Sequence, residues 1–183
     1  MMRPSFKFAR RKDMGFSILE MMLATVILLV GLVAVAQLVP ASILLNYRNR
    51  TDSSALVFAQ RELDQMLSQP LNLPGSPPQF TDAEGKVCSL GDPTRPNQLV
   101  GTAVVVLNNQ PLIDFTSSVS GYNFVYADPT DPSGTTYDVR WAVITTGNGT
   151  SASVFSKRFI LGIRQQGGNG YFQPITLDTM VER

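Results

Sequence analysis

Gly15-Phe16-Ser17-Ile18-Leu19-Glu20 opens an apolar run that continues from Met21 to Val39 without a charge. Those 19 uncharged residues are interrupted only by Thr25, Gly31 and Gln37. As a helix they extend roughly 28 Å, enough to cross a bilayer. The run decides the fold class, because the rest of the chain must be built on the end of a long N-terminal helix. A carboxylate at the mouth of such a stretch costs free energy, so Glu20 asks for a partner that offsets it.

Ahead of the run, Arg3, Lys7, Arg10, Arg11 and Lys12 stand against the single anion Asp13. By the positive-inside rule this end stays in the cytoplasm and everything after Val39 lies on the other side. The formal net charge of the whole chain is +1, so the remainder is slightly acidic, and no basic stripe points to nucleic acid. There is no histidine and one cysteine, Cys88. That composition excludes histidine triads, histidine or cysteine zinc sites and intramolecular disulfides. Cys88 reads as an incidental thiol.

Three readings of the apolar run compete. A secretory signal peptide finds a small-x-small site in Ala34-Val35-Ala36, but its apolar region would be longer than usual and helical sequence continues past the cut. A plain, uncut signal anchor is the second. The third accounts for the glycine, the aromatic residue after it and the glutamate five residues into the product. Gly15, Phe16 and Glu20, with Ser17 and the aliphatic pair Ile18-Leu19 between, resemble the processing site of type IV prepilins and type II secretion pseudopilins. The likeness covers residues 10–39, and the short charged leader looks like the type IVa class.

The resemblance implies a leader of residues 1–15, removed by a prepilin peptidase that cuts between Gly15 and Phe16 and N-methylates Phe16. The S-adenosylmethionine for that step would be bound by the peptidase, so this chain is expected to hold no cofactor. Glycine suits the position before a cut because it lets the backbone lie extended against a protease. Glu20 would pair with the new amino group at Phe16 of a neighbouring subunit and so set the axial register between helices. Gly31 is a place where helices in a bundle can approach closely.

Past the membrane run, Pro40 predicts a kink, after which the helix resumes to Gln69. From Phe16 to Gln69 that is 54 residues, or roughly 80 Å if straight. Residues 16–39 are expected to form the transmembrane segment and filament core. Leu45, Leu56, Ala59, Leu63, Met66 and Leu67 mark one apolar stripe that should cover a sheet. Arg48, Arg50, Arg61 and Glu62 read as the solvated face. The glycosylation triplets at Asn49 and Asn148 read as chance.

Residues 70–183 form the expected β-rich domain. Prolines at 70, 74, 77, 78, 93 and 96 mark residues 70–101 as a wrapped loop with at most short structure. Strand signals follow over 102–183: Thr102–Leu107, Tyr122–Tyr126, and an alternation that places Tyr137, Val139, Trp141 and Val143 on one face and Asp138, Arg140 and Ala142 on the other. Phe155, Lys157, Phe159, Leu161 and Ile163 continue that pattern after the Gly147-Asn148-Gly149 turn, which makes a hairpin. A last strand lies within Tyr171–Val181, with Pro174 arguing for an edge. The sum is an α+β roll: a long N-terminal helix on four or five antiparallel strands, as in the pilin fold. The aromatic residues are expected in the core. Asp128 and Asp131 sit in Asp-Pro turns, and no metal site is expected there.

Within the family the chain looks most like PilV-type minor pilins, also called type IV pilus modification proteins. The residues behind that are Val30-Gly31-Leu32 and the Ala55–Leu67 segment with Ala59-Gln60-Arg61-Glu62-Leu63. The lack of a C-terminal cysteine pair and the late Pro40 separate it from many major pilins. The expected partners are therefore the prepilin peptidase, other pilin or pseudopilin subunits, the inner-membrane assembly platform and the membrane itself. The expected location is the inner membrane as a single-pass protein with the C-terminal domain periplasmic or extracellular, and the pilus after assembly. A minor pseudopilin of a type II secretion or competence system is the alternative. An anchored enzyme has no supporting motif, since Gly-x-Ser-x-Gly and histidine are both missing, and no catalytic residue is expected.

Overall fold

The computed structural model describes residues 15–127, 134–166 and 173–182. The leader residues 1–14, the turn aspartates Asp128 and Asp131, and Tyr171 therefore lie outside the described residues. The chain divides into two units, Met1–Tyr47 and Arg48–Arg183.

In the first unit the apolar run is helical, as part of α1, Ile18–Leu67. Ser17 starts it: the Leu19 N–H donates to Ser17 Oγ at 3.3 Å, and the Glu20 and Met21 N–H groups donate to the Ser17 carbonyl at 3.0 and 3.1 Å. This satisfies donors that would otherwise be orphaned in the first turn. The helix therefore begins two residues after Phe16. Pro40 lies inside α1 and does not end it. Every residue from Gly15 to Arg50 is exposed, the large apolar side chains included. Exposing that much apolar surface to water is unfavourable, and the run is long and apolar enough to cross a membrane.

The second unit is the α+β domain. Its share of α1 buries Thr51, Ala55, Phe58, Ala59, Glu62, Leu63 and Met66. The three- and four-residue spacing of these positions is one helical face. Leu45, expected on this stripe, is exposed. Glu62, expected in solvent, is fully buried. It falls three residues after Ala59 and four before Met66, so helical geometry places it on the core face regardless of its charge.

Among the described residues nine strands follow: β1 Gln79–Thr81, β2 Val87–Ser89, β3 Leu99–Gly101, β4 Val104–Leu107, β5 Gln110–Ile113, β6 Asn123–Ala127, β7 Thr136–Gly147, β8 Val154–Gln166 and β9 Ile175–Glu182. The main sheet is five-stranded and antiparallel, β7 pairing with β8 and β8 with β9. The other edge of β7 is shared. β6 pairs with Thr136–Arg140 and β3 with Ala142–Ile144.

Residues 70–101 thus hold more than a loop, since β1 and β2 form a hairpin and β3 joins the main sheet. The expected strand at Thr102–Leu107 is displaced from that sheet. Gly101 has φ +112°, and a Cβ there would meet Tyr122 Cδ1 at 2.6 Å and the Trp141 carbonyl at 2.7 Å. The backbone turns at this glycine, and β4 pairs instead with β5 through Asn108 and Asn109, whose φ values of 51° and 62° form the tight hairpin turn that suits asparagine.

The alternation expected in β7 and β8 sorts two cores. Trp141, Val139, Val143, Phe159, Leu161 and Ile163 pack with the helix stripe. Phe124 lies edge-on to both Phe58 and Trp141, with centroids 6.3 and 5.8 Å apart. The Trp141 Nε1–H donates to the Ser89 carbonyl at 2.9 Å. On the opposite face Ala142 and Ile160 pack with Ile113 of the β4–β5 ribbon. Phe155 departs from its expected inward position. The register steps from Thr146↔Ser156 to Gly147↔Val154, so Phe155 is the extra residue of a bulge and is exposed.

Candidate functional site

Two places carry unusual chemistry. The first is the start of α1. Gly15 and Phe16 precede the helix, Phe16 is exposed, and Glu20 occupies the first turn. A carboxylate there is favoured by the positive end of the helix dipole, which offsets part of its cost beside an apolar run. No ion pair to Glu20 forms among the described residues. A Cβ at Gly15 or at Gly31 would meet nothing within 4 Å, so both glycines lie in open space.

The second place was not anticipated from the sequence. Helix α1 and the β1–β2 turn bring Glu62, Asp82 and Glu84 together, each offering one carboxylate oxygen within 4.8 Å of the others. Glu62 and Asp82 are buried, and the Glu84 side chain is 21% exposed. The turn is rigidly built. Asp82 Oδ1 accepts the backbone N–H of Glu84 at 3.0 Å and of Lys86 at 2.6 Å. Gln65 on α1 donates to Glu62 Oε1 at 3.1 Å and accepts the Ala83 N–H at 2.8 Å, tying helix to turn. Among the described residues Arg61 is the cation paired with the group: it bonds Glu84 and lies 3.6 Å from Glu62 Oε1.

The remaining oxygens, Glu62 Oε2, Asp82 Oδ2 and Glu84 Oε2, are buried with no hydrogen-bond partner among the described residues. Burial, then the neighbouring Asp82 and Glu84 charges, push the Glu62 carboxyl up to about 8. Burial and the same three carboxylates push the Cys88 thiol up to about 12. Cys88 is thus a free, buried and unreactive thiol. A signal for the turn was present in Asp82-Ala83-Glu84-Gly85. Its partner Glu62 was hidden, because the two segments meet only through long-range packing.

The class that fold and helix define is an α+β protein with a single apolar N-terminal helix, compatible with one membrane crossing. Compared with family models, curated proteins and solved structures, the chain gives no match.

Proposed function

We propose that this protein is a minor pilin of the PilV type, a structural subunit that primes assembly of a type IV pilus or is incorporated into it. The observation that carries the reading is an exposed apolar helix with one carboxylate, Glu20, in its first turn, directly after Gly15-Phe16. A membrane covers that helix before assembly, and the apolar helices of neighbouring subunits cover it afterwards. Cleavage after Gly15 creates an amine at Phe16, and Glu20 of the adjacent subunit pairs with it, so that each added subunit stops at one axial position. The C-terminal domain then lies on the periplasmic or extracellular side.

Mass spectrometry of the mature N-terminus from purified filaments tests this. The expected result is a chain starting at N-methyl-Phe16. A start at Gln37 would mean a secretory signal peptide and end the proposal. A correctly processed chain that is missing from sheared pili assigns it instead to a type II secretion or competence pseudopilus. Glu20→Ala is expected to leave cleavage intact and to abolish incorporation.

A further inference from the structure

We propose that Glu62, Asp82 and Glu84 bind one hard divalent cation, Ca²⁺ in preference to Mg²⁺. Three carboxylates come within 4.8 Å of one another with Arg61 as their ion-pair partner among the described residues, and one oxygen each of Glu62 and Asp82 is buried without a hydrogen-bond partner. Glu62 is 0% and Asp82 6% exposed, so solvent does not reach either carboxyl. An unpaired buried carboxylate is costly, and a divalent cation held between them removes that cost.

The outward oxygens are already committed. Asp82 Oδ1 takes two backbone donors and Glu62 Oε1 takes Gln65, which leaves Oδ2 and Oε2 buried and without a donor. An all-oxygen donor set selects hard cations over zinc or copper. Cys88, the chain's one thiol, is not part of the group. A calcium ion, with bonds of about 2.3–2.6 Å, reaches oxygens up to about 5 Å apart on either side of it. The three carboxylate oxygens, all within 4.8 Å of one another, fall inside that reach. Magnesium demands a near-ideal octahedron and holds on to several waters, which a site walled by the buried Glu62 and Asp82 accommodates poorly. The partly exposed Glu84 is the entry side. Bound there, the ion joins α1 to the β1–β2 turn, replacing repulsion between the two by a shared ligand.

The full-length chain, purified in detergent and stripped with EDTA, is titrated with CaCl₂ by calorimetry, and its thermal unfolding is followed by near-UV circular dichroism. Expected are one ion per chain, a midpoint raised by several degrees in millimolar CaCl₂, and a smaller rise in MgCl₂. Glu84→Gln, on the exposed side, is expected to keep the native spectrum and to weaken binding at least about tenfold, and Glu62→Gln to abolish it. No heat and an unchanged midpoint at about 10 mM CaCl₂, far above the affinity of extracellular calcium modules, would overturn the proposal. So would binding that persists in Glu84→Gln and Glu62→Gln, or that disappears in Asp131→Asn, since the ion would then sit elsewhere.

Discussion

Trp141 is the residue on which the domain core is centred. It is fully buried, touches the rings of Tyr122 and Phe124, and donates its indole N–H to Ser89, which fastens the β2 end of the first hairpin to β7. Trp141→Phe removes that bond and leaves both a void and an unpaired buried carbonyl. A loss of about 2–4 kcal/mol is expected in urea unfolding followed by far-UV circular dichroism. Lys157 shows the opposite situation, a charge in the core with no reward. Its Nζ has no partner among the described residues, and burial lowers the ammonium from 10.5 to about 8. Between about pH 8 and 10.5 the unfolded chain binds more protons than the folded one, so stability rises with pH through that window. Below pH 8 the cost is present in full. Lys157→Met is expected to raise the unfolding midpoint at pH 7 and to flatten its climb between pH 8 and 10.5; a wild-type midpoint that falls across that window would contradict the assignment. Lys157 was legible as an inward position in the alternation of β8, although its charge argued against it. Glu62 has the spacing of the core face from Ala59 and Met66, but its charge argued for solvent, and the segment that brings Asp82 and Glu84 beside it is distant in sequence.

Among the elements, β7 and β8 are the frame, and β3, β6 and β9 attach to their free edges. Their twelve-residue register carries the alternation that sorts the helix-facing core from the ribbon-facing one. Arg158 and Asp178 clamp β8 to β9 through two parallel hydrogen bonds of 2.9 and 2.5 Å, and the Arg140–Asp138 pair is likewise bidentate at 3.0 and 2.8 Å. The β4–β5 ribbon rests on the sheet where β8 has no side chain. A Cβ on Gly162 would come within 2.7 Å of Ile113 Cβ. Gly162→Ala is therefore expected to cost about 1–3 kcal/mol by overpacking. In a double-mutant cycle with Ile113→Gly, which removes the opposing Cβ, most of that cost should disappear, and a fully additive result would show that the ribbon is not seated there. The ribbon was half-visible in sequence. Thr102–Leu107 announced a strand, but the partner was decided by the turn at Gly101 and by the left-handed Asn108-Asn109 pair.

At the scale of the molecule, an apolar helix exposed from Ile18 to Arg50 and a domain with its own core make different demands on their surroundings. Before any assembly the full chain is expected to stay in the membrane pellet after an alkaline carbonate wash and to require detergent for release; recovery in the supernatant would contradict a membrane-spanning helix. The amino-acid sequence by itself determined the long helix, its membrane-length apolar run, the alternating strands of β7 and β8 and hence the α+β class. These depend on residue spacing within one element, and helical and strand periods are local properties. Tertiary structure alone decided that β3 and β6 share one edge of β7, that Phe155 is bulged outward, and that Glu62 meets Asp82 and Glu84 in a buried gap. Each of these depends on which distant segments pair and in what register, a choice made by the summed packing of both sheet faces that no single stretch of chain records.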